Sequence, residues 1–186
     1  MKANDIRKGI VIIYNKAPFR VIDFHHHTPG NLRAMVQTKL RNLLSGTQTE
    51  VRFSATENIE LADVVTFPAT YIYNDNEGYH FMNVETFEQL ALSKEVLGET
   101  AYYLQDEMKV DILTYNGEPI TVTPPQTVIL TIEDTEPAIN GATATNSPKP
   151  AKTNTGLTLT VPQFVKIGDR IVVNTEEGKY LSRADK

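Results

Sequence analysis

Residues 25–33 read HHHTPGNLR, and their types suit contact with nucleic acid better than covalent chemistry. Thr28-Pro29-Gly30-Asn31 is a turn sequence: proline fixes φ at one corner, and glycine or asparagine accepts positive φ next to it. Flanking strands would hold that turn out as a hairpin tip. In a strand, His25 and His27 share one face while His26 takes the other. Two imidazoles on a face are too few for a closed zinc site, and no cysteine or clear third ligand lies nearby, so no metal is expected. His27 and its neighbours are expected either to stack on or donate to RNA, or to serve as barrel-rim residues. Arg33 is the nearest positive charge. Lys39 and Arg41, two apart, fall on one side of a strand, where they could follow phosphates or form an ordinary solvated face.

A second stretch, Asn140-Gly141-Ala142-Thr143-Ala144-Thr145, precedes Lys149 and Lys152. Small residues let a backbone approach a partner closely, and threonine hydroxyls can reach RNA. The same composition also fits a linker. No catalytic constellation is present: there is no Gly-rich phosphate loop, no Gly-x-Ser-x-Gly elbow and no His-Glu-x-x-His. The acidic pairs Asp106-Glu107 and Glu176-Glu177 are expected at a helix end and in a turn, both solvated. Neither an enzymatic activity nor a cofactor is expected.

The elements that must position these residues are mostly β. Gly9–Tyr14 and Phe19–Phe24 are apolar runs joined by Asn15-Lys16, and Arg33–Leu43 and Val51–Ala55 follow. Short strands with tight turns in about 60 residues suggest a small closed barrel. Further on, Thr70–Tyr73 and Tyr79–Asn83 form a hairpin around 74–78. A helix is expected over Ser93–Glu107, with Leu97, Ala101 and Leu104 on one face. Lys109–Tyr115 and Pro119–Thr123 pair around Asn116-Gly117, the preferred two-residue turn with positive φ. Strands at Thr127–Ile132, Leu157–Val161, Arg170–Asn174 and Lys179–Ser182 complete the chain. Glu136–Thr155 reads as a linker or a long functional loop. Three domains result: 1–64, 65–128 and 129–186.

With no cysteine among 186 residues there is no disulfide framework, which suits a reducing compartment. The short apolar run near Met1 is not a secretory signal, and nothing approaches the roughly 20 apolar residues of a membrane helix. A cytoplasmic protein without membrane attachment is expected. Net charge is −5 but uneven: residues 1–64 carry nine Lys/Arg against six Asp/Glu, whereas residues 65–128 carry two against ten. A positive end beside a negative middle lets a protein meet phosphate at one end only.

One run decides the reading. In KPAKTNTGLTLTVPQFVKIG, Lys149–Gly168, a basic polar loop leads into a strand whose Leu157, Leu159 and Val161 alternate with threonine, and Pro162 ends it. Lys149, Ala151, Gly156, Leu159, Val161, Pro162, Val165 and Gly168 fill every fixed place of the signature K-x-A-x4-G-x2-hydrophobic-x-V-P-x2-hydrophobic-x2-G. That pattern resembles the bacterial translation elongation factor P family. MKANDIRKGIVIIYNKAPFRVIDFHHHTPGN, KLRNLLSGTQTEVRF, YIYNDNEGYHFMNVETFEQL and NGEPITVTPP extend the resemblance along almost the whole chain.

The resemblance implies an SH3-like (KOW-type) barrel followed by two OB-type barrels, in an L-shaped outline like that of tRNA. It implies a monomer that binds both ribosomal subunits between the peptidyl and exit sites, contacts ribosomal RNA and peptidyl-tRNA, and helps peptide bonds form at consecutive prolines. The tip, Pro29, Gly30, Asn31 and Arg33, would approach the acceptor end of the tRNA. Gly141, Ala142, Thr143 and Ala144 match a loop near the small subunit and the exit-site codon. Two departures matter. The residue after Pro-Gly is normally a lysine or arginine, commonly extended by a modification; here it is Asn31, expected to be unmodified. Ala142 replaces an aspartate, so any codon readout there is weaker or carried by backbone. Asn31 could act through its amide, Arg33 could supply the charge, or the chain could be a paralogue with another job. Apart from the resemblance, a general RNA- or protein-binding module stays open.

Overall fold

The computed structural model describes residues 1–30, 33–137 and 148–184. Fourteen strands form among the described residues, in three antiparallel sheets. Two compact units result, one of residues 1–66 and 113–121, the other of 67–112 and 122–186.

The first unit is built on the meander β1 (Val11–Tyr14), β2 (Ala17–His27), β3 (Met35–Asn42) and β4 (Gln48–Ser54). Asn15 and Lys16 both take positive φ, the geometry whose twist suits a two-residue hairpin turn. The sheet curls because residues 57–62 bond back to its start. Ala3 N–H donates to the Glu57 carbonyl (2.9 Å), Ile13 N–H to Glu60 (2.8 Å), and Ala62 N–H to Val11 (3.0 Å). Ile6, Ile12, Val21, Val36, Leu40, Phe53 and Ile59 fill the enclosed space.

The central sheet runs β7–β6–β5–β8–β9, from β5 (Val64–Asp75), β6 (Gly78–Asn83), β7 (Gln89–Leu92), β8 (Lys109–Tyr115) and β9 (Glu118–Thr123). The expected helix over Ser93–Glu107 is instead α1 (Lys94–Leu97) and a 3-10 turn, Gly98–Tyr102. Gly98 takes φ +56° and ψ −131°, which stops the α-helix after one turn. Leu97 and Leu104 nevertheless bury in the central core, with Ala101 packed against it. Breaking the helix frees Tyr103 to leave that face. It enters the core of the last sheet among Val128, Leu130, Val161 and Val173.

That last sheet runs β12–β11–β10–β13–β14, from β10 (Thr127–Thr135), β11 (Lys149–Thr153), β12 (Thr158–Val161), β13 (Arg170–Asn174) and β14 (Lys179–Arg183). Strand β10 pairs with β13 through Thr131 and with β11 from Ile132 onward, passing a bulge. Lys149–Thr153, read from sequence as a loop, is therefore a strand. Its residues alternate buried and exposed, and Pro150 is tolerated because β10 pairs only from Ala151 onward.

Candidate nucleic-acid interface

Burial along β2 shows how the 25–33 segment is held. Phe19 and Val21 are buried on either side of half-exposed Arg20, as a strand over a core requires. At His25, His26 and His27 the alternation stops and all three are exposed. On β3 the opposite residue Val36, paired with His26, stays buried in the core, so it is the β2 side of the hairpin that comes out into solvent on the way to the tip. A register shift between Val21 and Asp23 marks a bulge at the base of this hairpin, which adds twist there. The pairs His25–Gln37, His26–Val36 and His27–Met35 carry the ladder to the tip. Pro29 is half-buried; Gly30, at φ +39°, is exposed with open space where a Cβ would stand. Arg33 is exposed. Asn31 lies outside the described residues.

The faces divide the histidines as expected. His26 meets Phe24 edge-to-face at 5.5 Å, and the Arg7 guanidinium lies 5.8 Å from the Phe24 ring. His25 and His27 occupy the other face, with Gln37 and Met35. Lys39 and Arg41 are both exposed, opposite in direction to buried Thr38 and Leu40. Their surroundings differ. Lys39 pairs with Asp23 on one side and Glu50 on the other, so its charge is bracketed by carboxylates. Arg41 pairs with Arg20 and Gln48. Sequence reading did not single out Arg20, because only the register places it beside Arg41. Burial, and then the Arg41 charge, lowers the pKa of Arg20.

The second candidate loop joins β10 to β11 in the sequence. Gly141, Ala142, Thr143 and Ala144 lie outside the described residues. Further along the chain, Lys149 is buried and its Nζ donates to the Glu136 carbonyl at 2.6 Å, so this lysine braces the ends of β10 and β11. Lys152 is exposed.

Among the described residues, one group offers metal-ligand atoms within 4.8 Å of one another: Asp75, Glu77 and His80 at the β5–β6 turn. Asp75 Oδ1 already accepts from the Glu77 N–H (2.8 Å) and the Gly78 N–H (3.2 Å), and lies 2.9 Å from His80 Nε2. The His80 ring stacks on Tyr73 at 4.4 Å. These contacts tie the turn.

Three family models match in succession: the elongation factor P KOW-like domain over residues 2–59, its OB domain over 64–122 and its C-terminal domain over 128–183. The chain is also 46% identical over 182 residues to Elongation factor P of Gemmatimonas aurantiaca, covering 98% of this chain and 97% of that protein. The chain belongs to the elongation factor P family. Membership places it among translation elongation factors and accounts for the KOW-like and OB modules. A solved structure of eukaryotic translation initiation factor 5A from Methanococcus jannaschii has a similar fold. Its TM-score is 0.55 at 14% identity, over 67% of this chain and 91% of that one. Among the described residues, no helix is long and apolar enough to cross a membrane.

Proposed function

We propose that this elongation factor P family member binds the ribosome between the peptidyl and exit sites and steadies peptidyl-tRNA through the β2–β3 arm. It thereby speeds peptide-bond formation at consecutive prolines. The protein acts as a monomer through three modules, 1–64, 65–128 and 129–186. The observation that carries this reading is the run of exposed residues His25, His26, His27 and Thr28 leading to exposed Gly30 and Arg33, which leaves the end of the β2–β3 hairpin open to a partner. Such a hairpin can meet the acceptor end of a tRNA. Holding a reactant in place lowers the entropic part of a barrier without a nucleophile in the protein, so the reacting centre is ribosomal and the factor is an accessory. His27, Arg33 and Arg41 supply contacts along the arm, and Gly141–Ala144 faces the small subunit. No appended group is needed at Asn31.

The test is a reconstituted translation reaction on a message encoding a proline run, with recombinant protein whose intact mass excludes modification. Release of the stall is expected. An unchanged stall with the protein bound to ribosomes would instead favour a paralogue lacking this activity, a reading that Asn31 in place of the usual cationic residue supports.

A further inference from the structure

The outer face of the first sheet holds a separate feature, well away from the tip. Arg20 and Arg41 are direct cross-strand partners. Like charges placed opposite one another destabilise an antiparallel pair. Nothing in their row offsets this, since the remaining members are Val11 on β1 and Gln48 on β4. Two carboxylates on the sheet, Asp23 and Glu50, lie in the row of Lys39 and flank that residue. Among the described residues, neither guanidinium makes a hydrogen bond or an ion pair.

A half-buried arginine paired with a second arginine, with no carboxylate in their row, is an arrangement that an external anion completes. We propose that Arg20 and Arg41 form a clip that grips one phosphodiester group of RNA. This deepens the function proposed above and rests on it for the identity of the ligand. Guanidinium forks match phosphate oxygens, and two of them facing one group suit an anion whose charge is spread over several oxygens. The pKa of Arg20 is lowered first by burial and then by the Arg41 charge. From the His27–Met35 pair to the Arg20–Arg41 pair is six residues along β3, or about 20 Å. An RNA touching the tip would thus be held again near the root of the arm. Lys39, bracketed by carboxylates, contributes less than its spacing from Arg41 suggests.

The experiment measures binding of the full chain to fluorescent deacylated tRNA across a salt series. It uses the parent, Arg20→Gln, Arg41→Gln, the double variant and Lys109→Gln as a charge control. Each single change is expected to weaken binding about tenfold and to reduce the log–log salt slope by about one. The double variant should be within about twofold of the weaker single, because both groups hold the same phosphate. Lys109→Gln should match the parent. In the free protein at low salt, either single change should raise Tm, and the gain should shrink as salt screens the repulsion. Additive losses, an unchanged slope or a lowered Tm would each overturn the clip. So would tRNA affinity that ignores both arginines, or a parent that binds an acidic peptide at this face in preference to tRNA. If the parent releases proline stalls while the variants keep full tRNA affinity, the clip is wrong and the functional reading stands. Non-additive loss of tRNA binding in a protein that releases no stall has the opposite meaning.

Discussion

Arg33 is the cation nearest the tip that remains when asparagine follows Pro29-Gly30, and it is exposed. A charge-assisted contact to phosphate is about twice as strong as one between neutral groups, so the charge should dominate the amide. Arg33→Ala is therefore expected to reduce stall release about tenfold and Asn31→Ala by less than about threefold, read as rates in the proline-run reaction. Equal rates for both variants and the parent would remove the tip from the mechanism. Pro29 and Gly30 were legible as a turn because their backbone preferences are local. Arg20 was not, because its meaning depends on which residue of β3 lies opposite. Lys149 misled for a related reason. A lysine in a polar run reads as solvated, yet here its stem is buried and Nζ finds a carbonyl.

At the scale of elements, turn chemistry was the most readable signal. Asn116 and Gly117 take φ of 51° and 83° between β8 and β9, as their pair demands. The helix was the least readable. Its apolar spacing correctly marked Leu97, Ala101 and Leu104 as core, but Gly98 and the separate destination of Tyr103 broke the backbone between them. Strand β7 was missed because Gln89–Leu92, QLAL, contains no β-branched or aromatic residue to mark it as a strand. The β5–β6 turn gives a prediction at this scale. The hydrogen bond from His80, followed by those from backbone N–H groups, holds the Asp75 carboxyl below the ordinary carboxylate range. A carboxyl depressed on folding stabilises above its unfolded pKa and loses that contribution as pH falls through the folded value. Local order at this turn should therefore persist across the ordinary carboxylate range and fail below it. Asp75 in His80→Ala should titrate closer to an unperturbed aspartate, as NMR would record. An unchanged Asp75 titration would mean that His80 does not support the turn.

Over the whole molecule, the chain packs as two compact units, and the second contains most of the central sheet and all of the last. Tyr103 is the reason: it is supplied by the central segment and is 2% exposed within the core of the last sheet. Gln105 adds a hydrogen bond from Nε2 to the Ile129 carbonyl at 2.8 Å. Tyr103→Ala should cost about 3 kcal/mol, in the range for deleting a large buried ring. It should also split a single unfolding transition of residues 67–112 and 122–186 into two, visible by calorimetry. One unbroken transition in the variant would show that the sheets are joined by other contacts. Sequence periodicity marked every strand of the last core except β11, but no local pattern announces a tyrosine that serves a neighbouring sheet.

The central claim is that an arm rooted in the first sheet reaches peptidyl-tRNA without an appended group. Because the chain has no cysteine, Thr28→Cys creates a unique attachment point on the exposed side of the tip. Tethering an iron chelate there and generating hydroxyl radicals on stalled ribosomes tests contact directly. Cleavage confined to the acceptor end of peptidyl-tRNA and the ribosomal RNA beside it is the expected result. Bound protein that leaves the acceptor end uncut, or cuts only elsewhere, would contradict the account.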